Sequence, residues 1–102
     1  MAAVCADLVR AEIPGAWVSF EVPLARGARA DILVSYASGE RLVIECKRRT
    51  VKWSDARQAA RYLDAARARW PRSLVRVALV GEAVDPVMPP ERSDLWYAAV
   101  SV

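Results

Sequence analysis

Three charged residues interrupt two otherwise apolar stretches: Asp31 within residues 30–36 (ADILVSY), and Glu45 and Lys47 within residues 41–47 (RLVIECK). A charged side chain in a buried strand is costly unless it is paired or binds a metal ion. Strand side chains alternate, so Glu45 and Lys47 share a face. If the two stretches pair across the turn at residues 37–40, Asp31 can lie on that face as well. Two carboxylates and an ammonium at one end of a hairpin suit phosphodiester hydrolysis. Carboxylate oxygens hold Mg²⁺ and leave it several waters. The cation polarises the phosphate and acidifies a bound water. A neighbouring ammonium can orient that water or stabilise charge on the transition state. The same three residues could instead form a structural ion pair of Lys47 with Glu45 or Asp31, and by themselves they do not decide.

The chain contains no histidine. Ser-His-Asp and Cys-His catalysis, zinc sites with His ligands and nucleases with a His general base are therefore excluded. Charge supports an anionic partner. The net charge is only +3, but residues 47–76 carry ten basic residues against Asp55 and Asp64, a local net of +8. Such asymmetry favours a polyanion. A solvated Arg-rich face is the alternative.

The elements that must position these residues follow from periodicity. Residues 1–13 place Val4, Leu8, Val9 and Ile13 at helical spacing, stopped by Pro14-Gly15. Residues 17–24 alternate, with Val18, Phe20 and Val22 on one face and Trp17, Ser19 and Glu21 on the other, as in a half-buried strand. Residues 30–36 and 41–47 read as a hairpin. Ser54 or a neighbour caps a helix running to about Trp70, with an inner stripe of Ala59, Tyr62, Leu63, Ala66 and Trp70. Residues 74–80 form another strand, the Pro-rich tail is loop, and residues 95–102 can add a last short strand. The fold class is α/β: an α-β-β-β-α-β mixed sheet flanked by helices, in one domain spanning residues 1–102.

The spacing of Asp31 from Glu45-Cys46-Lys47 resembles the D…(D/E)-x-K signature of the PD-(D/E)XK nuclease superfamily, whose minimal core is also α-β-β-β-α-β with the motif on the second and third strands. Gln58-Ala59-Ala60-Arg61-Tyr62 resembles the Q-x-x-x-Y motif of its RecB-like branch, and residues 17–63 are similar to the nuclease domain of the NucS/EndoMS mismatch endonucleases. The resemblance implies a restriction-endonuclease-like core and a Mg²⁺- or Mn²⁺-dependent deoxyribonuclease, an endonuclease rather than an exonuclease, acting in DNA repair, recombination or defence. It implies that Asp31, Glu45 and the Cys46 carbonyl bind the metal and that Lys47 activates water. Glu21 is then the upstream acid, with Glu12 its rival. Gln58 and Tyr62 brace the site or touch DNA. Arg48, Arg49, Lys52, Arg57 and Arg61 meet phosphates. The family's separate N-terminal domain has no counterpart in a chain of this length, so mismatch specificity does not carry over. A homodimer or a subunit of a larger complex is expected. A nuclease fold that binds DNA without cutting it, or serves a partner nuclease, is the alternative function.

The remaining residues read more plainly. Trp17 and Trp70 are expected in the core or capping it, and Trp53, inside the basic segment, is a candidate DNA contact. Cys5 and Cys46 read as buried reduced thiols. Neither a signal peptide nor a membrane span is legible, so the expectation is a soluble cytoplasmic protein without membrane contact.

Overall fold

The structure, a computed structural model, describes residues 15–100. In these residues the order is β1 (Trp17–Ala25), β2 (Ala28–Ser35), β3 (Arg41–Cys46), β4 (Thr50–Val51), α1 (Trp53–Arg69), β5 (Val75–Gly81), β6 (Ala83–Val84) and β7 (Leu95–Ala99). The helix expected over residues 1–13, with Glu12 and Cys5, lies outside the described residues.

The main sheet runs β1-β2-β3-β5-β7. Two tight hairpins make β1, β2 and β3 antiparallel, and α1 carries the chain back so that β5 lies parallel to β3 and β7 parallel to β5. The β2–β3 turn closes through Gly39 N–H donating to the Tyr36 carbonyl at 3.0 Å, with Gly39 at φ 92, a conformation that suits glycine. β3 and β5 are buried on both faces, which is why they read as near-continuous apolar runs. One face, through Leu33, Val43, Val77 and Leu79, packs against α1. The other is a second cluster of Ile32, Val34, Leu42, Ile44, Ala78 and Val80.

α1 meets the sheet through Ala56, Ala59, Leu63 and Ala66. Three of these four side chains are methyl groups, so the helix lies close to the strands. Tyr62 and Trp70 flank the stripe and are half-buried. The N-cap of the helix lies two residues before Ser54, the position named with its neighbours as the expected cap. It is Lys52, and the Asp55 carboxylate reaches back to accept the Lys52 N–H at 2.8 Å. Ser54 sits inside the first turn because the longer Asp55 side chain already satisfies that donor. At the other end Trp70 N–H donates to the Ala66 carbonyl, and Pro71 ends the helix.

Three expectations change. The alternation of β1 breaks at Glu21, which adopts φ 53, in the left-handed region. Val18 therefore joins the second cluster while Val22 packs against the first, on the helix side. Trp17 is 65% exposed rather than core, because it lies at the start of an edge strand, whereas Trp70 is held between the guanidiniums of Arg41 and Arg69 at 4.7 and 4.9 Å. The two-residue pair β4–β6 has no periodic signature and was not expected.

That small pair fixes the basic segment. Arg49 and Val51 carbonyls accept from Glu82 and Asp85 N–H at 3.1 and 2.9 Å. Gly81 makes the approach possible: a Cβ there would collide with the Arg49 carbonyl oxygen and stand 3.0 Å from Val51 Cγ2. Gly81→Ala is expected to destabilise the fold by roughly 1–3 kcal/mol, as overpacking does. Thermal denaturation checks this, and an unchanged midpoint would contradict so close a contact.

Candidate active site

The site forms where the carboxyl ends of β3 and β5 meet the start of α1, the end of a parallel βαβ unit where ligands bind in open α/β sheets. Asp31 on β2 and Glu45 on β3 would be opposite one another in the hairpin register, next to the Ile32–Ile44 pair. Each braces the other's strand. Asp31 N–H donates to Glu45 Oε1 at 3.3 Å, and Cys46 N–H donates to Asp31 Oδ2 at 2.8 Å. Both carboxylates thus accept backbone bonds at the point where regular pairing of β2 and β3 ends.

Glu45 is 5% exposed, the one charged residue in the core among the described residues. Burial, then repulsion from Asp31, pushes its carboxyl up from the ordinary 4.5 to about 7; Glu21 adds repulsion, while the Asp31 N–H and the Lys47 ammonium oppose the rise. Tyr62 feels the same charges. Burial first, then Glu45 and Asp31, raises its phenol, so Tyr62 remains a neutral donor.

Lys47 lies just beyond β3 rather than within it. Its Nζ donates to Gln58 Oε1 at 2.9 Å and approaches Asp55 Oδ1 at 3.7 Å. The side chains singled out in the sequence as Asp31, Glu45, Lys47, Gln58 and Tyr62 therefore occupy one neighbourhood. Glu21 reaches it through the electrostatics of Glu45. Cys46 turns its side chain towards the second cluster and contributes its backbone to the site.

In the sequence Asp55 counts only as a charge in the basic segment and is given no place in the site. It lies three residues before Gln58, hence on the same side of α1, and is one of only two acids in the basic segment. Those two signals together could have found it.

Arg48, Arg49, Lys52, Arg57 and Arg61 are all exposed. Lys47, Arg48, Arg49 and Lys52 line a shallow cavity of about 270 Å³, and Arg57 and Arg61 line a second depression that also includes Gln58. Asp55 borders both, so the basic side chains form a rim around the start of α1. Trp53, the first residue of α1, is 46% exposed.

The donor set suits a hard cation. Two carboxylates converge and repel, and one of them is enclosed, so a divalent ion there would neutralise charge that burial makes costly. Among the described residues no third acid, Cys or His completes a cage. Mg²⁺ and Mn²⁺ tolerate this because they keep waters and substrate oxygens as ligands.

No protein-family model matches the chain, and no curated protein matches it. Solved structures do. A crystal structure of a repair endonuclease from Pyrococcus abyssi superposes with TM-score 0.66 at 21% identity, over 98% of this chain and 46% of that one. An EndoMS–dsDNA complex gives TM-score 0.61 at 21% identity, over 88% of this chain and 45% of that one. EndoMS in apo form gives 0.53 at 23% identity, over 80% and 35%. The chain spans less than half the length of each. Its α/β fold, a five-stranded mixed sheet with α1 on one face, is the restriction-endonuclease-like fold of these nucleases.

Proposed function

We propose that this chain is a divalent-metal-dependent DNA nuclease that hydrolyses phosphodiester bonds, an endonuclease acting in DNA repair. The observation that carries the reading is the Asp31–Glu45 pair: two interlocked carboxylates, one buried and near-neutral in pKa, with Lys47 and Tyr62 within electrostatic reach and Gln58 holding Lys47; five exposed basic side chains lie around the start of α1. The fold shared with repair endonucleases adds to it.

Asp31, Glu45 and the Cys46 carbonyl would hold Mg²⁺ or Mn²⁺. When bound, the cation supplies Lewis-acid polarisation of the phosphate and a more acidic water. Lys47 keeps its ammonium beside the acids, where it orients an attacking water and stabilises charge on phosphate oxygens. Gln58 fixes Lys47 by accepting from Nζ. Tyr62, held neutral, donates towards the acids or the substrate. Glu21 adds negative potential at the same place.

The basic rim binds the DNA backbone. Every cationic side chain removed from a phosphate lowers the slope of log affinity against log salt by about 0.9. Arg48→Ala combined with Arg49→Ala is therefore expected to lower the slope by about 2 with no sequence preference, measured by fluorescence anisotropy across a salt series. An unchanged slope would remove these residues from the interface.

The purified chain incubated with labelled duplex, single-stranded, mismatched, flap and junction DNA in Mg²⁺ or Mn²⁺ tests the whole reading. Cleavage of one or more is expected. Retained DNA binding without cleavage on any substrate would favour the second reading, a non-cutting module or subunit of a larger nuclease.

A further inference from the structure

Lys47 is not paired with the acids beside it. Its ammonium is engaged from α1, by Gln58 Oε1 at 2.9 Å and Asp55 Oδ1 at 3.7 Å. Among the described residues no ion pair within 4.0 Å joins Lys47 to Asp31 or Glu45. Yet Lys47 is near enough to favour the charged form of Glu45. An ammonium is a point charge on a flexible four-carbon stem and can swing to any anion within reach, and two carboxylates lie on its own face of the hairpin. Something must draw it away.

Gln58 is neutral and contributes a dipole. Asp55 contributes a charge, and that charge is immobile: its Oδ2 accepts the Lys52 N–H at 2.8 Å at the start of α1. The Lys47 and Asp55 side chains are only 24% and 21% exposed, so water screens the pair less than a surface contact.

We propose that Asp55 is a positioning residue: its carboxylate holds the Lys47 ammonium towards α1 and off the Asp31–Glu45 pair. Released from Asp55, Lys47 folds back onto the two carboxylates. It then occupies the place of a cation and is no longer available to water and phosphate. The hold on Lys47 stands on geometry alone, and its consequence for turnover rests on the nuclease reading above.

Asp55→Asn separates this role from helix capping. The amide oxygen still accepts the Lys52 N–H, but the charge is gone. The chain has only two lysines, Lys47 and Lys52, so carbon-13 labelling of lysine gives a two-residue NMR spectrum. In the wild type, the Lys47 ε-methylene is expected to show cross-peaks to the Gln58 side chain. In Asp55→Asn these disappear and cross-peaks to the Glu45 side chain replace them. With a cleavable DNA, kcat falls roughly tenfold to hundredfold, as misplaced catalytic groups do, while KM and the thermal midpoint stay near wild type. Asp55→Glu recovers part of the rate. Unchanged Lys47–Gln58 cross-peaks in Asp55→Asn overturn the proposal. So does an unchanged kcat, or a fall in kcat matched by unfolding. If the wild type cuts no DNA, the nuclease reading fails, and the lysine cross-peaks still decide whether Asp55 holds Lys47.

Discussion

Asp31→Ala and Glu45→Ala are each expected to lower DNA cleavage about a thousandfold or more, with Lys47→Ala close behind. Metal-ion catalysis contributes several kcal/mol of transition-state stabilisation, and roughly 1.4 kcal/mol is a factor of ten in rate. Losing either carboxylate leaves one side-chain ligand, which cannot fix a cation that keeps most of its waters. The two acids fail for different local reasons. Asp31 also accepts the Cys46 N–H at 2.8 Å, so Asp31→Ala loosens the strand end that carries Glu45 and Lys47. Asp31→Asn keeps an acceptor for that N–H and is the cleaner test of charge. Glu45→Ala leaves a cavity in a position only 5% exposed, and Glu45→Gln avoids it. Lys47→Ala removes the ammonium and leaves both carboxylates in place, so metal binding survives while turnover falls; without Lys47 the Glu45 carboxyl loses one influence that favours its charged form. Initial cleavage rates check all three. Rates within tenfold of wild type in every variant would remove these residues from the chemistry.

The same carboxylate makes the metal-free protein less stable than it could be. Glu45 titrates near 4.5 in an unfolded chain and at about 7 in the fold. A raised folded pKa means the fold prefers the neutral acid. Its stability is fully present below pH 4.5, is lost as pH rises from 4.5 to about 7, and stays at the lower level above that. The difference corresponds to about 3 kcal/mol at pH 8. Glu45→Gln keeps the volume, removes the charge, and can donate to the Asp31 carboxylate it formerly repelled. The metal-free variant is expected to melt roughly 12–24 °C above wild type at pH 8, a gain that shrinks to near zero by pH 4.5. Calorimetry across pH 4–8 without metal checks the sign. A variant less stable than wild type at pH 8 would mean that Glu45 already has an ionic partner in the fold. A more stable, inactive Glu45→Gln would mark a position kept for chemistry at the expense of folding.

Much of this site was legible because strand and helix periods are strict. A two-residue period put Glu45 and Lys47 on one face, and the turn at Gly39 brought Asp31 to it. A 3.6-residue period put Gln58 and Tyr62 one turn apart on α1, with Tyr62 at the edge of the buried stripe. What the sequence hid depends on contacts between distant segments. The left-handed backbone at Glu21 reverses the inward face of β1 partway along, and a pattern of apolar residues carries no mark of that. β4 and β6 are two residues each, too short for any period, and exist because Gly81 lets Arg49 come close. Trp17 is expected in the core or capping it; its exposure follows from its place at the start of β1, an edge strand. Asp55 was obscured by the ten basic residues around it, though its spacing from Gln58 was available.

We propose the Asp31–Glu45 pair as a divalent-cation centre at which DNA is cut. One comparison tests it most directly: cleavage of the best DNA substrate by wild type and by folded Glu45→Gln, each titrated with Mg²⁺ from a chelated start. Wild-type cleavage that rises from zero with Mg²⁺, with none from Glu45→Gln at any concentration, is the predicted result. Cleavage that persists in chelator, or that Glu45→Gln performs as well as wild type, would contradict it.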